Sequence, residues 1–286
     1  MKTIAKEFAK IMLNGAQGCG VALGRAVGFI DFPVPLNSSM RKTSSTTIRH
    51  YYVSGINCYL PIATIALEMG VKLRERISIL DFGCGVGRQL LHFTRNFAEP
   101  AYFACDVDHS CLEFISRNYP SVTSRTNQFD PPLPFDTESM DMVYSVSTFS
   151  HINPDHQKDW LRELYRITQP GGYCFLTTEG WTAFEKLRGT FAHEGAEREL
   201  RAKGILYKEY DFFEAEKKEG HLSPKLTRLV GIDKSYGSTV MTPEFIRENW
   251  SGAGFEVVAI VEGIIDYRQD LIVLHKTPVV VAAKGN

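Results

Sequence analysis

The sequence predicts an α/β chain built on a mostly parallel sheet, and three observations carry that reading. Apolar runs of strand length alternate with segments of helical periodicity from residue 56 onward. The first apolar run leads into an acidic residue and three alternating glycines, Ile79-Leu80-Asp81-Phe82-Gly83-Cys84-Gly85-Val86-Gly87-Arg88, as an α/β sheet does where it offers bare backbone to a ligand. The last two apolar runs, 255–261 and 269–275, are joined by a connection too short for a crossover, which makes them antiparallel.

The elements follow in order. Ile56, Leu60, Ala63 and Leu67 at helical spacing predict a helix over 56–75. Its regular part begins at Pro61, since proline suits a first turn. A buried strand at 77–82 precedes the glycines, and a helix at 89–96 follows them. Residues 101–107 form a second strand ending in Asp106-Val107-Asp108, then 110–118 are helical. A third strand at 122–128 meets the turn-rich Asp130-Pro131-Pro132-Leu133-Pro134-Phe135, and 141–146 is the fourth strand. Asn153-Pro154 gives a cap and a first-turn proline to a helix whose stripe is Trp160, Leu161, Leu164 and Tyr165. Gln169-Pro170-Gly171-Gly172 is expected as a turn feeding a fifth strand at 173–178. Residues 181–241, charged and aromatic-rich, read as a mostly helical insertion. They precede a helix at 242–253 ended by Gly254. Residues 1–45 look like an amphipathic arm with a Ser/Thr-rich loop, and 277–286 like a loose tail. The expected division is an arm over 1–50 and one domain over 51–286.

Bulk properties narrow the function. With 286 residues, 44% hydrophobic and 23% charged, the chain has the composition of an ordinary globular protein. A net charge of −1 supplies no global basic field, so neither nucleic acid nor an anionic membrane is expected as a partner. Six cysteines without a C-x-x-C pair suggest a reducing cytoplasm, and no stretch serves as a signal core or a membrane span. The glycine spacing is G-x-G-x-G. A dinucleotide fingerprint needs its third glycine at position 88, where Arg88 stands, so a diphosphate on the helix start is not the natural reading.

Further motifs stand in order along the chain. Asp106 closes the second strand, then come Pro132-Leu133-Pro134-Phe135 and Met140-Asp141-Met142-Val143-Tyr144-Ser145. Phe149-Ser150-His151-Ile152 and Leu164-Tyr165-Arg166-Ile167 with Pro170-Gly171-Gly172 complete the set. Together with the glycine loop, over about residues 50–276, the chain resembles the class I S-adenosylmethionine-dependent methyltransferases of small-molecule type. The resemblance implies a Rossmann-like sheet of seven strands, mostly parallel with an antiparallel last strand. An N-terminal helical arm and a helical insertion before the last two strands would flank it.

S-adenosylmethionine is the cofactor the resemblance implies. Backbone at Gly83, Cys84, Gly85 and Gly87 would approach its methionyl part, and Asp81 would order the loop or meet the amino group through water. Asp106, with Val107 beside it, would accept hydrogen bonds from the ribose hydroxyls. An acid there also fits NAD, so it names a ribose rather than a cofactor. Asn127, Gln128 and Phe129 would hold adenine, although many relatives carry Asp where Asn127 stands. Ser145, Val146 and Ser147 would pass the cofactor mainly through backbone, while Arg88 either pairs with a carboxylate or faces solvent.

Methyl transfer from a sulfonium is an in-line displacement, so positioning and exclusion of water supply much of the catalysis. His151, after the fourth strand, is the candidate base for an acceptor that must lose a proton. Arg49, Tyr51 and Tyr52, just before the first helix, and Glu179 and Gln269 at the sheet edge are candidate acceptor contacts. The insertion is the expected acceptor lid. Asp155 and His156 near His151 belong to a helix's first turn, so no metal is expected. The expected acceptor is a small molecule methylated at O, N, S or C, with a homodimer allowed. A non-catalytic cofactor-binding module and an NAD-dependent dehydrogenase are the alternatives.

Overall fold

The computed structural model describes residues 30–36, 40, 45, 47–187, 190–191, 194–209 and 236–278. Most of the arm, the middle of the insertion and the end of the tail lie outside these residues. The sheet contains β1 (Ser78–Phe82), β2 (Ala101–Asp106), β3 (Val122–Thr126), β4 (Met140–Ser145) and β5 (Thr168–Glu179). It is completed by β6 (Ile205–Glu209), β7 (Gly237–Met241), β8 (Glu256–Ile265) and β9 (Gln269–His275). The order β3-β2-β1-β4-β5-β7-β6 is parallel from β3 to β7. Strand β9 also pairs antiparallel with β5, and β8 with β9. The seven strands the sequence predicts are therefore present, and two more come from the insertion.

Helices cover both faces, as a parallel sheet requires. Helices α1 (Ile48–Glu68), α2 (Leu90–Asn96) and α3 (His109–Asn118) close one layer with Tyr51, Ile62, Leu90, Phe93 and Ile115. Helices α4 (Pro154–Ile167) and α7 (Pro243–Trp250) close the other with Trp160, Leu161, Leu164, Ile246 and Trp250. Burying each such leucine contributes about 1.5–3 kcal/mol. Asn153 caps α4 by accepting from the His156 backbone N–H, with Pro154 following it as the sequence predicts. Helices α5 (Trp181–Lys186) and α6 (Ala196–Lys203) pack a small third cluster around Phe184, Phe191 and Leu200.

Three expectations are corrected. The first helix runs over Ile48–Glu68, unbroken through Pro61, rather than over 56–75. Its buried face, from Tyr51 through Ala66, outweighs the one hydrogen bond that proline removes. Residues 169–172 are strand, not turn, because β5 reaches back to pair Thr168 with Met140 across a bulge. The insertion is not mostly helical among its described residues: β6 and β7 pair antiparallel, and Val240 of β7 joins the sheet at Glu179. Residues 210–235 of the insertion lie outside the described residues.

Candidate active site

The parallel strands end along one edge, which gathers Phe82, Asp106, Ser145 and Glu179. Antiparallel pairing with β5 brings the start of β9 to the same edge, with Gln269 opposite Glu179. Ligands of open α/β sheets bind at this carboxyl edge.

The glycine loop is tied to β2. Backbone N–H groups of Gly83 and Cys84 donate to the Cys105 carbonyl at 2.9 and 3.0 Å, and Gly87 donates to Cys84 at 2.9 Å. Asp106 completes the anchor: Oδ2 accepts from Gly85 N–H and Oδ1 from Asp108 N–H, both at 2.8 Å. Gly83, Gly85 and Gly87 have φ of 73°, 51° and 72°, left-handed values that favour glycine. A β-carbon on Gly83 would lie 2.4 Å from Thr148 Oγ1, and one on Gly87 would lie 2.7 Å from Ile115 Cδ1. At these two positions glycine serves the turn and its packing as much as access for a ligand.

Two carboxylates line the loop. Asp81 is only 2% exposed, and Tyr144 Oη donates to its Oδ2 at 3.0 Å. Burial raises the Asp81 carboxyl to about 7, Tyr144 opposes the rise, and the charge of Asp106 adds to it. A loop beside which two acids crowd each other suits a cationic ligand and repels a diphosphate. S-adenosylmethionine, with its sulfonium and ammonium groups, fits that charge pattern. Arg88 turns toward α1, where Nη1 donates to Ser54 Oγ at 3.2 Å.

The remaining candidate cofactor residues flank the loop. Val107 is half-buried beside Asp106. Asn127 is buried with Nδ2 donating to the Gln128 carbonyl, and its Oδ1 has no partner, while Gln128 is exposed. Phe129 faces His156 at 5.6 Å and Tyr236 at 6.5 Å between ring centres. Ser145 Oγ donates to the Phe82 carbonyl at 2.8 Å, and Val146 is half-buried. Ser147 adopts φ of 65°, held by its N–H on Thr177 Oγ1 at 2.8 Å and its Oγ on Gln269 Oε1 at 3.1 Å.

His151 sits in a loop fixed to β7. Its backbone carbonyl accepts from Gly237 N–H at 2.8 Å, and its Nδ1 lies 3.1 Å from the Gly237 carbonyl. Burial lowers its pKa, the Gly237 carbonyl opposes that, and the Arg268 charge adds to the lowering. A neutral ring that donates from Nδ1 carries Nε2 in the acceptor form a general base needs. Tyr236 lies over it at 5.3 Å between ring centres. Buried Glu179 pairs with Arg268; burial raises its carboxyl, and Arg268 opposes the rise. Gln269 Oε1 accepts from Thr177 Oγ1 at 2.9 Å, so it organises the edge from behind.

The structure brings His151, Ser147, Glu179 and Gln269 to one edge and separates the other acceptor candidates from it. Arg49, Tyr51 and Tyr52 do not precede the first helix; they occupy its first turns. Tyr51 is fully buried and its hydroxyl donates to the Val86 carbonyl at 3.1 Å, so it supports the glycine loop. Tyr52 stacks on Phe32 at 5.0 Å, and Arg49 is exposed. Sequence reasoning missed Thr177 and Tyr236. Thr177 is an inconspicuous strand residue whose role depends on a partner far along the chain, and Tyr236 was one aromatic among many in the insertion.

Comparison with known proteins agrees with this geometry. Residues 79–172, spanning the glycine loop through β5, match the family model described as a methyltransferase domain. Residues 79–172 are thus similar to a methyltransferase domain. The same α/β fold recurs in a SAM-dependent methyltransferase from Aquifex aeolicus at TM-score 0.50 and 15% identity, covering 85% of this chain and 100% of that one. Among curated relatives, bovine tRNA N(3)-cytidine methyltransferase METTL2 is 28% identical over 119 residues, 38% of this chain and 32% of that protein. Human tRNA N(3)-cytidine methyltransferase METTL6 is 27% identical over 104 residues, covering 34% and 37%. A phthiotriol/phenolphthiotriol dimycocerosates methyltransferase of Mycobacterium ulcerans is 31% identical over 101 residues, covering 35% and 36%. The chain thus spans about a third of the length of the curated relatives it matches.

The curated relatives overturn one expectation. Nucleic acid was excluded as a partner on net charge, yet several of these relatives are named for tRNA. Net charge is a sum over the whole surface and is silent about the local face that meets a ligand. Among the described residues no helix is long and apolar enough to cross a membrane.

Proposed function

We propose that this chain uses S-adenosylmethionine to methylate an acceptor seated at the carboxyl edge between Ser147, His151 and Glu179. One observation carries the reading: the acid-lined glycine loop and His151, with its Nδ1 on the Gly237 carbonyl, share that edge. Asp106 accepts from the ribose hydroxyls, and Asp81 faces the cationic methionyl end. Asn127 and Phe129 border the adenine. Bound cofactor supplies a methyl group activated by its positive sulfur. Described parts of the insertion, β7 and Tyr236 among them, wall the acceptor side and exclude water. The buried cysteines Cys58, Cys84, Cys105 and Cys174, with no disulfide among them, support a reducing cytoplasmic setting.

The acceptor is RNA on the first reading, supported by the relatives named for tRNA cytidine. A pyridine-like ring nitrogen attacks through its own lone pair and needs no base, so His151 would position rather than deprotonate. A second reading, a hydroxyl-bearing lipid, is favoured by the acceptor-form His151 Nε2, which would take the hydroxyl proton. The deciding experiment offers labelled S-adenosylmethionine with unmodified tRNA or with a lipid alcohol extract. Transfer to tRNA that survives His151→Ala within about tenfold supports the first reading. Transfer only to lipid, lost in His151→Ala, supports the second. No transfer to either removes both acceptor classes.

A further inference from the structure

Among the described residues, the large apolar side chains left exposed, Leu36 apart, fall on one helix face and the turn beside it. Val53, Leu60 and Leu67 fall seven residues apart on the outer face of α1, 42%, 52% and 47% exposed. Beside them is the β8–β9 turn, tied to α1 by Asn57 Nδ2 donating to Asp266 Oδ1 at 2.7 Å, with Ile264 and Tyr267 exposed on it. Single exposed leucines are ordinary, but a seven-residue apolar repeat on one helix face is the pattern of a helix with a helical partner.

We propose that this stripe is the docking face for the chain's own N-terminal segment, residues 1–29. Position is the first argument. The described chain begins at Ile30, which is buried, and Phe32 stacks on Tyr52, next to Val53 at the head of the stripe. The segment is therefore delivered to the patch at high effective concentration. Pattern is the second. Ile4, Phe8, Ile11 and Met12 fall at i, i+4, i+7 and i+8, the spacing of one helix face, while Lys2, Lys6 and Lys10 fall on the opposite one. Charge is the third, because exposed Glu68 follows Leu67, exposed Asp266 is bonded to Asn57, and the segment brings those lysines. Length permits it: at 1.5 Å per residue, Val53 to Leu67 spans about 21 Å, within reach of 29 residues. Docking has a consequence for the site, because α1 holds the glycine loop through Tyr51 on Val86 and Ser54 on Arg88. The segment braces the helix that roofs the cofactor loop.

The test uses the full chain at sub-micromolar concentration and follows trypsin cleavage after Lys6, Lys10 and Arg25. Wild type should be cleaved slowly at these sites. Leu60→Lys and Phe8→Ser should each speed cleavage about tenfold, the order expected for losing a half-buried large apolar contact. The double variant should gain little more than either single one, since both remove the same contact. The melting of the rest of the chain should be unchanged in Phe8→Ser, which separates undocking from misfolding. Cleavage of wild type as fast as of the variants overturns the proposal, as does an additive gain in the double variant. Protection that disappears on dilution also overturns it, and assigns the stripe to a second copy of the chain.

Discussion

Replacing Asp106 by asparagine isolates the group on which the cofactor site turns. Its carboxylate accepts two backbone N–H groups, from Gly85 and Asp108, each at 2.8 Å. A hydrogen bond to a charged group contributes about 1.5–3 kcal/mol net, and partial exposure here argues for the low end. Asparagine keeps one acceptor oxygen and presents an amide to the other N–H. The loop anchor alone should therefore lose about 1.5 kcal/mol, roughly tenfold in affinity. Loss of the ribose contacts should carry the total toward about a hundredfold. Melting should fall by only about 3–6 °C for a chain of this size, so the variant stays folded. Calorimetric titration with S-adenosylhomocysteine measures the loss. An analogue lacking both ribose hydroxyls separates the two parts, because it should bind poorly to wild type and lose only the anchor's share, roughly tenfold, on the substitution. Unchanged affinity in Asp106→Asn would refute the ribose assignment and the anchoring argument together.

Other consequences are equally direct. Asp81 is raised to about 7, so a cationic ligand that needs it ionised should bind more tightly as pH rises from 6 to 8, levelling above about 8; Asp81→Asn should flatten that profile. The same shift makes the folded state hold an extra proton between about pH 4 and 7, so its contribution to stability falls as pH climbs across that window. Chemical denaturation of wild type and Asp81→Asn at pH 5 and 8 should show the difference. Gly83→Ala places a β-carbon at 2.4 Å from Thr148 Oγ1 on a backbone at φ of 73° and should cost about 1–3 kcal/mol; adding Thr148→Ala should recover the clash but not the backbone strain. Glu163 is buried, accepts from Leu133 N–H and pairs with partly exposed Arg166, so Glu163→Ala should lower stability by about 1–3 kcal/mol while leaving affinity for S-adenosylhomocysteine in the surviving folded fraction within about twofold.

The parts of this architecture legible in the sequence were those with short-range signals. Asn153-Pro154 marks its helix start because cap and proline act on adjacent backbone groups. The glycines at 83, 85 and 87 mark their turn because all three adopt left-handed φ. Long-range pairing hid the rest. Gln169-Pro170-Gly171-Gly172 has the composition of a turn, yet β4 and the Lys276 backbone hold it extended. The strand Ile205–Glu209 sits in a charged segment and forms because β7 supplies its partner. In the site, Asp106 stood out by its place after a strand. Thr177 did not, because its value lies in joining Ser147 to Gln269 across the sheet. The exclusion of nucleic acid failed for a different reason, since a whole-chain charge was used where only a local face matters.

Direct titration of the full chain with S-adenosylhomocysteine and, separately, with NAD tests the central claim that the acid-lined glycine loop is a methyl-donor site. One equivalent of S-adenosylhomocysteine should bind, more weakly in Asp106→Asn, and NAD should show no measurable binding. Saturable binding of NAD with none of S-adenosylhomocysteine would contradict the claim.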